Sequence, residues 1–119
     1  MNSPNPSQSN SSDQIMYIEI CSANEIESGE RIFVEIDGQP IVVFNIAGEL
    51  FAIADLCSHD DGPLGDGEVK GHEVACPRHG ANFDVRTGKA LTLPAVADIP
   101  TYPLRVKSGR VEIGIRRVD

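Results

Sequence analysis

Two short segments concentrate the side chains that hold soft or borderline metals. Cys57-Ser-His59 is followed, after sixteen residues, by Cys76-Pro-Arg-His79. Each arm offers one thiolate and one imidazole, and together they take two of the three cysteines and two of the three histidines of the chain. Thiolates and imidazoles in combination suit zinc or iron–sulfur centres. A zinc finger usually pairs Cys with Cys on one arm and His with His on the other. Mixed arms are the set expected if one iron takes both thiolates, a second takes both imidazoles and two sulfides bridge them. A structural zinc site on the same four residues is the alternative, and it would serve protein interaction rather than electron transfer.

Such arms need a scaffold, and the flanking sequence reads as β. Arg31–Asp37 is rich in β-branched and aromatic residues, and Pro40–Ile46 and Leu50–Ala54 follow in the same style. Asp37-Gly38 and Ala47-Gly48 separate them as tight turns, and Ser108-Gly109 parts Tyr102–Lys107 from Arg110–Ile115 as a third hairpin. Met16–Ile20 mixes apolar and polar residues, and Ser22-Ala-Asn-Glu25 has capping-box spacing for a turn or a single helical turn. No segment keeps a helical period over ten or more residues, which predicts an all-β chain. The stretch Asp55–Pro103 holds most of the Gly, Pro and His, so its strands must be short. A long irregular stretch inside a small domain is usually functional.

Composition narrows the classes. The chain has 119 residues and a net charge of −8, with 40% hydrophobic and 5% aromatic residues and no Trp. The length fits one domain. The acidic balance argues against nucleic-acid binding, which needs clustered Lys and Arg. No apolar run approaches the ~20 residues of a membrane span. Three cysteines do not make a secreted disulfide scaffold. The first basic side chain is Arg31 and no apolar export signal precedes it, so the cytoplasm is the expected compartment. Residues 1–14 are almost wholly polar and are expected to form a disordered tail, leaving 15–119 as one domain.

The wider pattern resembles a known family. Leu56-Cys-Ser-His-Asp-Asp-Gly-Pro-Leu64, then Cys76-Pro-Arg-His-Gly-Ala-Asn-Phe-Asp84 and Thr87-Gly88, are similar to the two binding loops of the Rieske [2Fe–2S] proteins. Leu93-Pro-Ala95 is similar to the proline-containing segment that lies over the cluster in that family. The resemblance spans about Ile15 to Ile115. It implies an antiparallel base with an inserted cluster-binding subdomain over about 55–100. It implies one [2Fe–2S] cluster per chain, with Cys57 and Cys76 on a buried iron and His59 and His79 on an outer one. Two neutral imidazoles leave the centre less negative than an all-thiolate cluster, which makes an electron easier to accept.

The departures point to a subtype. Rieske proteins of cytochrome bc-type complexes carry an extra cysteine in each loop, paired as a disulfide, whereas Asp, Gly and Arg (Arg78 among them) fill those positions here. Those proteins also place a Ser where this chain has Ala81, and fewer hydrogen bonds to the sulfurs imply a lower potential. The chain therefore resembles the soluble, oxygenase-associated Rieske ferredoxins. That implies a one-electron carrier rather than an enzyme, accepting from a flavin-dependent NAD(P)H reductase and donating to a terminal non-haem iron oxygenase. It would act as a monomer. A small Rieske subunit of another redox complex such as nitrite reductase, or an accessory protein of iron–sulfur assembly, is the alternative within the family.

Other residues admit two readings. Gly62, Gly65, Gly67 and Gly80 either turn the backbone so that N–H groups face sulfur or simply satisfy turns. Pro63, Pro77 and Pro94 stiffen the loops. His72 reads as a surface or sheet residue, and Cys21 as a small apolar one. Asp55, Asp60, Asp61, Asp66, Glu68 and Glu73 are either a solvated surface or a negative docking face.

Overall fold

Three two-residue turns organise the strands. Asp37 and Gly38, Ala47 and Gly48, and Ser108 and Gly109 all have positive φ, between 52° and 94°. Paired positive φ is what a type I′ hairpin requires, and its twist matches that of the strands it joins. The computed structural model describes residues 15–116; the expected tail over 1–14 lies outside the described residues. The strands are β1 (Ile15–Ser22), β2 (Arg31–Ile36), β3 (Gln39–Ile46), β4 (Glu49–Ala54), β5 (Val69–Lys70), β6 (Glu73–Ala75), β7 (Asn82–Asp84), β8 (Thr101–Tyr102), β9 (Leu104–Lys107) and β10 (Arg110–Arg116). One 3-10 turn, Ala23–Glu25, follows β1, with the Glu25 carboxylate accepting the Ser22 N–H at 3.0 Å. The described chain is all-β apart from that turn.

The strands form three antiparallel sheets, ordered β2-β3-β4-β8, β9-β10-β1 and β5-β6-β7. Central strand β3 explains how they stack. Ile41, Val42, Val43 and Phe44 are all buried, so both faces of the strand meet apolar surface. Val42 and Phe44 share one core with Ile53, Leu64, Val74 and Phe83, whereas Ile41 and Val43 share another with Val111 and Ile113. The four-stranded sheet is thus the middle layer, between the three-stranded sheet and the inserted segment.

The insertion leaves and rejoins neighbouring strands of the same sheet. Ala52 pairs with Tyr102 and Ile53 with Thr101, and the Ala54 N–H donates to the Pro100 carbonyl at 2.9 Å. Residues 55–100 therefore begin and end at one place on the base. The strand expected over Tyr102–Lys107 is divided. Pro103 has no N–H to give a ladder, its carbonyl accepts from Gly114 at 2.8 Å, and the chain passes there from the middle sheet to the outer one.

Phe83 on β7 is fully buried in the core that joins insertion to base. Phe83→Ala is expected to lower the unfolding free energy by about 3–5 kcal/mol. Urea denaturation followed by far-UV circular dichroism measures it, and a loss below ~1 kcal/mol would contradict this packing. Among the described residues no helix is long and apolar enough to cross a membrane.

Candidate metal centre

The two arms fold into loops with the same backbone hydrogen bonds. In the first, the Cys57 N–H donates to the Gly62 carbonyl at 2.8 Å and the Cys57 carbonyl accepts from Asp61 at 2.7 Å. In the second, the Cys76 N–H donates to Ala81 at 2.7 Å and the Cys76 carbonyl accepts from Gly80 at 2.8 Å. Asp61 and Gly80, at matching places, both have positive φ. The second loop is the connection between β6 and β7, and the first follows β4. Each cysteine thus roots its loop while the following histidine stands near the apex.

Charged side chains brace the first loop and fasten it to the base. Asp55 Oδ1 accepts the N–H groups of Leu64 and Gly65 at 2.9 and 2.6 Å, which pins both ends of the first loop. Arg31 of β2 donates through Nη1 to the carbonyls of Gly65 and Gly67 at 2.5 and 2.6 Å. Its guanidinium carbon also lies 5.1 Å from the Phe44 ring centroid. The Ser58 hydroxyl donates to the Ala97 carbonyl, which holds the segment around Leu93-Pro-Ala95 against the first loop. Ala95 is buried there, while Leu93 and Val96 face outward.

The ligating atoms of Cys57, Cys76 and His79 lie within 4.8 Å of one another. His59 falls outside that group of three, but its ring meets the His79 ring edge-on with centroids 4.6 Å apart. Cys57 and Cys76 are buried in the core, whereas His59 and His79 are exposed. Burial pushes the Cys57 thiol up, so it stays protonated until a metal displaces the proton. This is an unsymmetrical donor set, with sulfur inside and nitrogen outside. It fits a two-iron centre whose irons have different ligands, and those four residues are the ones that could hold it.

The sequence profile described as Rieske [2Fe-2S] domain matches residues 16–103. The chain belongs to the Rieske family. The ferredoxin component of the naphthalene 1,2-dioxygenase system of Pseudomonas putida is 35% identical over 101 residues, covering 85% of this chain and 97% of the relative. The ferredoxin component of biphenyl 2,3-dioxygenase from Rhodococcus jostii (strain RHA1) is 38% identical over 96 residues, covering 81% and 90%. A solved complex of reduced oxygenase and oxidized ferredoxin in carbazole 1,9a-dioxygenase contains a chain with a TM-score of 0.78 and 26% identity, covering 87% of this chain and 97% of that one. The cofactor of the Rieske domain is a [2Fe–2S] cluster.

Several side chains of this Rieske domain sit where the sequence could not place them. Arg78 Nε and Nη2 grip the Asp60 carboxylate at 2.8 and 2.9 Å, joining the two loops by an ion pair. Arg78, then the Gly62 N–H and His79, hold the Asp60 carboxyl well below the usual carboxylate range. Asp55 and the exposed Asp60 are therefore engaged by the loops, the exposed Glu73 accepts from Asn82 Nδ2 at 3.2 Å, and Asp61, Asp66 and Glu68 are exposed beside them. His72 packs edge-on against Phe51 at 5.7 Å, and Cys21 is buried in the other core. Gly65 and Gly67 serve both a turn, closed by the Gly67 N–H on the Leu64 carbonyl at 3.0 Å, and close approach: a Cβ would lie 2.5 Å from the Phe33 ring or 1.7 Å from the Ala75 carbonyl oxygen.

Proposed function

We propose that Cys57, His59, Cys76 and His79 hold the [2Fe–2S] cluster, and that the chain shuttles single electrons from a flavin-dependent NAD(P)H reductase to a terminal non-haem iron oxygenase. The observation that carries this reading is the division of the donor set, with both thiols in the core and both imidazoles at the surface. When bound, the cluster supplies a one-electron couple. The thiolates would hold the inner iron in an apolar setting that excludes water. The imidazoles would hold the outer iron and present their edges as the contact through which a partner is reached. Relatives that are ferredoxin components of dioxygenase systems, and a ferredoxin solved together with its oxygenase, supply the partner classes. The chain would work as a monomeric domain over 15–119 in the cytoplasm.

Iron, zinc and acid-labile sulfide per chain, with electron paramagnetic resonance (EPR) of the dithionite-reduced protein, test the site. Two irons, two sulfides and a signal of low average g are expected. One zinc without sulfide would replace the carrier with a metal-stapled interaction module.

The exposed acids on and beyond the first loop, Asp61, Asp66 and Glu68, and a net charge of −8 favour steered encounter with basic partners. Reduction by the reductase is expected to slow about tenfold between ~0.05 and ~0.5 M salt. Stopped-flow rates at varied ionic strength measure this, and a flat profile would defeat the docking face.

A further inference from the structure

Arg78 directly precedes His79, and Asp60 directly follows His59, so the two partners flank one candidate ligand from each loop. All three guanidinium nitrogens of Arg78 are spent on the first loop. Nε donates to Asp60 Oδ2 at 2.8 Å, Nη2 to Asp60 Oδ1 at 2.9 Å and Nη1 to the Pro63 carbonyl at 2.5 Å. Gly62 makes room for this: a Cβ there would lie 2.7 Å from Cζ and Nη2 of Arg78. The Asp60 carboxylate also accepts the Gly62 N–H at 3.0 Å, and its Oδ2 lies 3.0 Å from Nε2 of His79. One carboxylate is therefore the meeting point of the first loop's own backbone, the second loop's guanidinium and the second loop's imidazole.

The cysteine-rooted backbone bonds run within each loop, 57 to 62 and 76 to 81, and fix the shape of each separately. Relative placement of the loops needs something that crosses between them. A bidentate fork suits that task because it fixes angle as well as distance, which a single point charge does not. Charge attraction alone is weak here, since the Arg78 and Asp60 side chains are 34% and 32% exposed and open to screening by salt.

We propose that Arg78 is a positioning residue whose fork on Asp60 and Pro63 clasps the two loops and sets where His79 stands relative to His59. The clasp rests on the reading of Cys57, His59, Cys76 and His79 as the cluster ligands. It assigns retention of the cluster, and the symmetry of its outer ligand pair, to a side chain that touches no metal.

The test uses the full-length holoprotein and three variants. Arg78→Gln removes the fork, Arg78→Lys keeps the charge without it, and Arg105→Gln breaks an arginine–carboxylate pair away from the loops, Arg105–Glu112 at 2.6 Å on the outer sheet. Loss of visible absorbance under an iron chelator gives retention, and EPR of the reduced protein with the midpoint potential reports the outer ligands. Arg78→Gln is expected to bleach about tenfold faster than wild type, with broadened or displaced g values. Arg78→Lys is expected to fall between, and Arg105→Gln to match wild type. A generally weakened fold would lower the unfolding midpoint and leave the EPR signal and potential unmoved. Arg78→Gln with wild-type bleaching, g values and potential would overturn the clasp. Should Arg78→Gln fail to load, a wild-type result from Arg78→Lys would overturn the fork equally well. Wild-type protein lacking iron and sulfide would instead strike down the ligand reading itself, and the clasp with it.

Discussion

Cys57→Ala is expected to purify with less than about one-tenth of the wild-type iron and sulfide, whereas Cys21→Ala keeps the full complement. Both thiols are buried, so exposure does not separate them. Their surroundings do. Cys57 lies in the core that contains Cys76 and backs both loops, and its ligating atom is within 4.8 Å of those of Cys76 and His79. Cys21 lies in the other core, among Ile26, Ile41, Val43 and Val111, with no second thiol and no imidazole in that group. Alanine at 57 removes a proposed ligand and leaves only a small void, so the apolar packing of the base survives. The burial that pushes the Cys57 thiol up adds a signature: loading expels its proton, so reconstitution of the wild type should release acid. Elemental iron, acid-labile sulfide and the visible spectrum report the outcome. A Cys57→Ala protein with wild-type iron, or a colourless Cys21→Ala protein, would refute the ligand assignment.

The candidate ligand pattern and the hairpins are legible because each is a local signal. Two mixed Cys/His arms name their own chemistry, and Asp37-Gly38, Ala47-Gly48 and Ser108-Gly109 can take the positive φ that a two-residue turn demands. What stayed hidden depends on residues far apart in the chain. Tyr102–Lys107 reads as one strand, yet Tyr102 pairs with Ala52 and Leu104 with Ile113, so distant partners divide it at Pro103. β1 buries little of itself, only Cys21 lying fully inside, and it exists because β10 pairs along its length. The run of acids around the first loop looks uniform in sequence. Only the fold shows that Asp55 holds the loop ends, Asp60 answers Arg78, eighteen residues away, and Glu73 accepts from Asn82, leaving Asp61, Asp66 and Glu68 to solvent. Arg31 gave no signal either, since its partners are the carbonyls of Gly65 and Gly67.

Gly67→Ala is expected to cost about 3 kcal/mol or more of stability and to strip the cluster from what still folds. A methyl group at 67 would sit 1.7 Å from the Ala75 carbonyl oxygen, 2.8 Å from its carbon and 3.2 Å from the Leu64 carbonyl oxygen. All three are backbone atoms, so no side chain can swing aside. The backbone around 67 is also held from the other direction. Its N–H donates to Leu64 at 3.0 Å, its carbonyl accepts from Arg31, and the next residue's carbonyl accepts the Ala75 N–H at 3.0 Å. The strain must therefore pass into Ala75, the last residue of β6, and so into Cys76 beside it. Gly48→Ala separates this clash from the general penalty of replacing glycine. Gly48 has a φ of +94° but nothing within 4 Å of a Cβ, so its loss costs only backbone strain of about 1 kcal/mol. Both variants are compared by chemical denaturation and by iron content. Equal destabilisation of the two, or full iron in Gly67→Ala, would mean that the second cysteine is not braced through Gly67.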